Sequence, residues 1–198
     1  MLLLITLNSW ARRSVFAVGR GLRALFVPPL PNHSRNNRIM PAPDDLRAHI
    51  IELLQGGHAH ATFEAAVSGF PVEQAGHKPD DAPHTAWQLL EHMRIAQWDI
   101  LEFSRNPRHI SPKWPEGYWP ERDAPQAKQD WAQSVRSFRA DLKAMVELIA
   151  DPANDLLAPF PHGKGQTLLR EALLVADHNS YHLGQFNMLR RLLGAWKA

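Results

Sequence analysis

The distribution of apolar and polar residues along the chain predicts four amphipathic helices. In four segments apolar side chains recur at intervals of three and four residues, which is the spacing of one helix face. The predicted helices run from about Asp45 to Val67, from Thr85 to Phe103, from Asp123 to Ile149 and from Thr167 to Leu193. No segment shows the two-residue alternation of a half-buried strand. The pattern therefore predicts an all-α protein built as a four-helix bundle.

Capping residues and prolines locate the ends of these helices. Thr85 and Gln88 have the spacing of a capping box, and we expect the third helix to open at Asp123 with Gln126 at its capping-box position. Between the second and third helices, residues 105–125 contain five Pro, two Trp and one Tyr. This composition predicts a long ordered crossover rather than a tight turn. Its aromatic residues either cap a pocket or cover the open end of the core.

Polar residues interrupt the apolar face of the last predicted helix. Its apolar stripe consists of Leu168, Ala172, Val175, Phe186, Leu189 and Leu193. The stripe contains Asn179 and His182 at its centre, and His178 lies one turn before His182. Buried polar groups cost stability unless they are satisfied. Two histidines four residues apart are satisfied by sharing a metal ion or, alternatively, by ordinary hydrogen bonds to carbonyl groups.

The first and second predicted helices also place polar groups where the core is expected. His92 and Asp99 lie on the inward face of the second helix, and His60 and Glu64 lie on that of the first. Asp99, Glu64 and His60 are therefore candidates for acid–base chemistry or for orienting a ligand. The alternative for each of them is a solvated or capping role. The third helix has an uninterrupted apolar stripe, which indicates a purely supporting element.

Composition restricts the chemistry of any metal site. The chain has 198 residues, enough for one domain, and it contains no cysteine, which excludes disulfides, thiolate ligands and a cysteine nucleophile. A transition metal would therefore be held by histidine with Asp or Glu, and the chain has 11 histidines. Three imidazoles, from His92, His178 and His182, would leave one position open, which is the catalytic pattern for zinc. Imidazole also suits nickel, copper and iron.

The charge of the chain is distributed unevenly. Six of the 22 Lys and Arg lie in residues 1–39, which contain no acidic residue, so residues 40–198 carry 16 basic against all 20 acidic side chains. This acidic domain argues against nucleic acid as a partner. The apolar run at the start of residues 1–39 is shorter than a membrane span requires. We expect them to be a basic extension, either an organellar transit peptide or non-functional sequence before a start at Met40, and we expect a cytoplasmic domain over residues 40–198.

Two phrases of the sequence carry a family resemblance. The phrases DHNSYHLGQ at residues 177–185 and WQLLEHMRIAQWDI at residues 87–100 resemble those of the DinB-like (YfiT-like) superfamily. The similarity covers about residues 44–195 and includes the crossover phrase WPEGYWP and the ending LRRLLGAW. It implies an up-down-down-up four-helix bundle that forms a homodimer. It also implies a divalent metal ion bound by His92, His178 and His182.

The resemblance further implies a class of chemistry. Relatives of this kind include S-transferases and isomerases that use low-molecular-weight thiols. A divalent ion such as Zn, Ni, Mn or Fe would activate a thiol or a water molecule as the nucleophile toward a small-molecule substrate. Two alternatives stay open, namely a non-catalytic metal-stabilised bundle for ligand binding or stress response, and a bundle whose three histidines bind no metal.

Overall fold

The computed structural model describes residues 44–196 of the chain. The expectations about residues 1–39 lie outside the described residues. Within the part that is described, no helix is long and apolar enough to cross a membrane.

The described chain is helical. Its α-helices are α1 (Asp44–Gln55), α2 (Phe63–Val67), α3 (Ala86–Arg105), α4 (Lys128–Ala150) and α5 (Leu168–Leu192). Residues 44–196 contain no β-strand, and one isolated antiparallel bridge joins Pro159 to Thr167. The predicted all-α class is confirmed.

Helices α3 and α5 begin where their capping residues predict. The Thr85 hydroxyl accepts a hydrogen bond from the Gln88 backbone N–H at 3.1 Å, and the Gln88 side chain accepts from the Thr85 N–H at 3.0 Å. At the start of α5, the Thr167 hydroxyl accepts from the Arg170 N–H at 3.2 Å. These bonds satisfy N–H groups that have no partner inside the helix.

The first predicted helix is wrong as a continuous element. It ends at Gln55, because Gly56 and Gly57 adopt positive φ angles of 71° and 94°. Backbone in this left-handed region ends a helix, and glycine enters it without steric cost. The chain becomes helical again at α2, where the Thr62 hydroxyl accepts from the Ala65 N–H at 3.1 Å.

The predicted start of the third helix is also wrong, since α4 begins at Lys128. The Asp123 carboxylate accepts a hydrogen bond from the Gln88 side chain at 2.6 Å, and its carbonyl accepts from the Thr85 hydroxyl at 2.6 Å. The Asp130 carboxylate instead accepts from the N–H groups of Gln126 and Ala127, both at 2.9 Å. Asp123 therefore fixes the crossover to the start of α3.

Helices α3 and α1 pack against the same pair of helices, α4 and α5. The core consists of two clusters, which we call the aromatic cluster and the aliphatic cluster. The aromatic cluster includes Phe63, Phe70, Trp87, Trp131, Phe138 and Phe186. The aliphatic cluster includes Ile50, Leu101, Met145, Ile149, Leu156 and Val175. On α3 and α5 they occupy opposite halves, and the buried Gln97, Asn179 and His182 lie between those halves.

Candidate metal centre

The structure brings His92, His178 and His182 together. His92 comes from α3, and the other two come from successive turns of α5. One ligand atom from each residue lies within 4.8 Å of the others, and the ring centroids are separated by 4.5 to 4.9 Å. His92 and His182 are buried, and His178 is partly buried. The three side chains that the sequence pattern singled out thus form one compact cluster.

Two of the imidazoles are oriented by hydrogen bonds at their outer nitrogen. His92 Nδ1 lies 2.8 Å from the backbone carbonyl of Tyr118, and His182 Nδ1 lies 2.7 Å from Oε1 of Gln185. Both partners accept, so each Nδ1 carries the proton and each Nε2 presents a lone pair. This is the arrangement by which proteins orient metal-binding histidines.

His178 has an unsatisfied ring nitrogen in either of its neutral tautomers. His178 Nε2 lies 3.1 Å from His92 Nε2, and His178 Nδ1 is buried without a hydrogen-bond partner. If His178 is protonated at Nδ1, two lone pairs face each other at Nε2. If it is protonated at Nε2, it donates to His92 Nε2, but its buried Nδ1 lone pair has no donor. In the first case a cation among the inner nitrogens would bind the opposed lone pairs, so the residues fit a metal ion.

Burial keeps the three imidazoles neutral. It lowers the pKa of His92 to about 4, against the opposing effect of the Tyr118 carbonyl. Burial, together with the neighbouring His182 and His92, lowers the pKa of His178 to about 3. The pKa of His182 is also lowered, mainly by burial. Neutral imidazole is the form that binds a metal, so the cluster is ready to bind one at neutral pH.

An aromatic side chain of the crossover covers the cluster. The Trp119 ring stacks on the His92 ring with centroids 3.9 Å apart and an angle of 1° between the planes. Its ring also stacks on His84, at 4.1 Å. Trp119 therefore covers one face of His92. No periodic pattern in the Pro-rich crossover could have placed it there.

Asp99 lies outside the cluster but is linked to it. Its carboxylate is buried and accepts hydrogen bonds from the Tyr118 hydroxyl at 2.6 Å and from His109 Nε2 at 2.7 Å. Tyr118 is the residue whose carbonyl holds His92. Sequence reasoning singled out Asp99 by helical phase and missed both Tyr118 and His109.

The structure places His60 and Glu64 away from the three histidines. His60 is exposed, and its Nε2 lies 3.1 Å from the Ser180 hydroxyl. Glu64 is exposed and pairs with Arg139. Neither side chain hydrogen-bonds a histidine of the cluster. The break at Gly56–Gly57 changes the helical phase on which both were placed.

A groove of about 590 Å³ is lined by residues that contact the cluster, although none of the three histidines lines it. Its apolar lining includes Leu89, Met188, Leu189 and Leu192. Gln185, which holds His182, and His84, which stacks on Trp119, also line it. Gly184 lies on its α5 side, and a Cβ there would meet nothing within 4 Å. The groove thus reaches residues that touch the cluster or its cover.

Fold and site together define a helical protein with a buried three-histidine cluster beside an apolar groove. Residues 55–186 match the family model of the DinB superfamily, which covers most of the described chain. The chain belongs to the DinB superfamily. Comparisons with curated proteins and with solved structures give no significant match.

Proposed function

We propose that this protein binds one divalent metal ion through His92, His178 and His182 and uses it as an enzyme of the S-transferase or hydrolase type. The observation that carries the proposal is the convergence of three neutral imidazoles, one of which, His178, has a buried ring nitrogen without a partner. Within the described residues, no Asp, Glu or further His joins this group. Three protein ligands with an open fourth position are characteristic of catalytic rather than structural zinc sites.

The bound ion would supply Lewis acidity, which lowers the pKa of a thiol or a water molecule and makes it a nucleophile at neutral pH. The three imidazoles fit Zn, Ni or Fe, and Mn is proposed from the family resemblance alone. A low-molecular-weight thiol is the proposed co-substrate. His92 and His182 hold their lone pairs inward through Tyr118 and Gln185. Trp119 covers one face of His92 and keeps water from that side.

The groove supports a small-molecule substrate. Concave, mostly apolar sites with a few polar groups are typical of small-molecule binding. The polar groups here include His84 and Gln185, at the boundary with the histidine cluster. At Gly184 no side chain projects from α5 into the groove, so the groove is open at that position. We propose that the apolar part of the substrate binds in this groove.

The bundle topology proposed for the chain is up-down-down-up. Arg47 of α1 bonds the Ile149 carbonyl at the far end of α4, which supports antiparallel packing. Gln88 pairs with Asp123 before α4, and Gln97 bonds the Phe138 carbonyl within it, which supports parallel α3 and α4. We also propose that the protein is cytoplasmic and that, as the family resemblance implies, it forms a homodimer.

The enzyme proposal is tested by assaying the metal-loaded protein for transfer of low-molecular-weight thiols to electrophiles and for hydrolysis of esters and amides. We expect at least one activity that is lost in His92→Ala and His178→Ala and retained in His60→Ala. If every activity found is the same in the wild type and both cluster variants, catalysis at this site is contradicted.

A second candidate is a non-catalytic bundle stabilised by its metal. The burial of His92 and His182, with Trp119 lying on His92, favours this alternative. It predicts that the metal raises the free energy of unfolding but that added thiols do not reach it. A change in the spectrum of the cobalt-substituted protein on adding a thiol would contradict it.

A further inference from the structure

We propose that Tyr118, anchored by Asp99, is a positioning residue that fixes the tautomer and orientation of His92. We call this arrangement the Tyr118 clip. Its use in holding a metal rests on the proposed function, but the clip itself concerns contacts within the protein.

The clip bridges two turns of one helix. His92 and Asp99 both lie on α3, seven residues and therefore about 10 Å apart along the axis. Tyr118 reaches both of them, since its backbone carbonyl accepts from His92 Nδ1 at 2.8 Å and its hydroxyl donates to Asp99 at 2.6 Å. A crossover residue is thereby held at both ends by the helix that carries the histidine.

Asp99, which anchors Tyr118, is buried and accepts hydrogen bonds from two crossover residues. Tyr118 is 1% exposed and Asp99 is 6% exposed. The other carboxylate oxygen of Asp99 accepts from His109 Nε2 at 2.7 Å, and His109 also belongs to the crossover. A buried carboxylate with two donors holds them firmly, because losing either donor leaves a charged oxygen unsatisfied.

Two neighbouring crossover residues determine the His92 ring completely. The Tyr118 carbonyl requires a proton on Nδ1, and the Trp119 ring lies parallel to the imidazole at 3.9 Å. The first contact sets the tautomer and the second sets the ring plane, so Nε2 faces His178 and His182. His178 contrasts with His92 in the same cluster, because its Nδ1 is buried without a hydrogen-bond partner that would set its tautomer.

The competing interpretation is that Tyr118 and Asp99 only fasten the crossover to α3. Such a staple would change the stability of the fold, but it would not change the tautomer of His92 in a folded variant. Measuring the tautomer therefore separates the two roles.

The test is long-range ¹H–¹⁵N NMR of the imidazoles in the metal-free full chain, with zinc affinity measured by competition against a chelator. In the wild type we expect His92 as a single tautomer protonated at Nδ1. In Tyr118→Phe, which lacks the hydroxyl that holds Asp99, we expect a mixture of tautomers and zinc affinity lower by about 10-fold. Tyr181→Phe removes an exposed hydroxyl and should leave the His92 tautomer unchanged.

If Tyr118→Phe does not fold, Asp99→Asn is the second variant, because it nearly conserves the size of the side chain. We expect the same mixture of tautomers and the same loss of zinc affinity in it. A single Nδ1-protonated tautomer and unchanged zinc affinity in a folded variant would overturn the clip. If the wild type binds no zinc, the proposed function fails, while the tautomers of the wild type and the variant still decide whether the clip exists.

Discussion

Two sets of polar side chains lie between α3 and α5, and they differ in how their hydrogen-bonding atoms are satisfied. The first is an amide pair, in which the Asn179 side chain donates to Gln97 at 2.9 Å and the Gln97 side chain donates to the Phe138 carbonyl at 2.7 Å. The second is the histidine cluster. Gln97 and Asn179 are 1% and 7% exposed, and His92 and His182 are 4% and 7% exposed, so burial does not distinguish the two groups.

The difference is one of hydrogen-bond complementarity. Each amide carries both a donor and an acceptor, so a short chain of hydrogen bonds accounts for the pair, with Asn179 Oδ1 as its one unpartnered atom. His92 and His182 direct their protons outward and their lone pairs inward, and neither tautomer of His178 satisfies both of its ring nitrogens. Buried polarity by itself therefore does not indicate a site, whereas converging acceptors without donors do.

Two buried arginines resemble the amide pair, because they too are satisfied by hydrogen bonds within the protein. Arg47 donates to the carbonyls of Ile149 and Asn154, both at 2.6 Å. Arg190 donates to the carbonyls of Ala66 at 2.5 Å and Ser68 at 2.8 Å. Both guanidinium groups fasten chain segments whose carbonyls have no partner within a helix, which is a structural role.

The largest expected contrast between the two polar groups is in their response to metal. Zinc at about 1,000 times its dissociation constant should raise the free energy of unfolding of the wild type by about 4 kcal/mol, because the ion binds only the native state. His182→Ala should lose this increment, whereas Asn179→Leu should keep it. Denaturant titrations with and without zinc measure both. His60→Ala is the matched control, and an increment that survives in His182→Ala would contradict the comparison.

The next contrast concerns pH. Burial lowers the pKa values of His92 and His178 to about 4 and about 3, below the ordinary 6.5, and lowers that of His182. Between about pH 6.5 and pH 4 the unfolded state thus binds more protons than the native state, so stability falls as the pH falls. Each of these histidines changes the free energy of unfolding by at most about 1.4 kcal/mol per pH unit.

This pH dependence is measured by denaturant titrations of the metal-free protein at several pH values. His178→Ala should show a flatter decline, because one of the shifted groups is gone. Asn179→Leu should keep the full slope, since no titrating group is removed. A slope that is identical in the wild type and His178→Ala would show that His178 is not held neutral by the fold.

Breaking the amide pair should reduce stability without affecting the metal. Asn179→Leu removes the donor to Gln97 and leaves a buried acceptor without a partner, at a cost of about 1 to 3 kcal/mol. Metal content should remain that of the wild type. Denaturant titration and metal analysis of the same preparation provide the check, and a variant that is stable but metal-free would assign Asn179 to the metal site instead.

The smallest expected effect concerns the groove. Gly184→Ala should stabilise the metal-free protein by about 0.5 to 1 kcal/mol, because alanine favours a helix interior and its methyl group meets no atom within 4 Å. Gly184→Trp should fill the groove and weaken binding of apolar substrates while zinc affinity stays unchanged. Isothermal titration with zinc and with a substrate identified by screening separates the two effects. Equal substrate binding in both variants would exclude the groove.

The sequence predicted those features that depend on local pattern. The helices α3 and α5 have clear caps at Thr85 and Thr167, and the histidines stand out because they interrupt an apolar stripe. The end of α1 at Gln55 was missed because the helical spacing was continued through Gly56 and Gly57 to Val67. The start of α4 was missed because Asp123 bonds residues of α3, a long-range contact that no local pattern contains.

The surroundings of the histidines were predicted less well than the histidines themselves. Tyr118 and Trp119 lie in a Pro-rich segment without periodicity, so neither helix phase nor strand alternation indicates their direction. His60 and Glu64 were placed by assuming an unbroken first helix. Asp99 was identified from its inward position, but its link to His92 depends on a tyrosine 19 residues further along the chain.

The most direct test is the metal content of the full, untagged chain, measured by mass spectrometry after purification and again after incubation with zinc, nickel or manganese. We predict about one divalent ion per chain in the wild type and in Asn179→Leu, and none in His92→Ala or His182→Ala. A wild-type chain that holds no ion under any of these conditions, or cluster variants that keep theirs, would contradict the metal site.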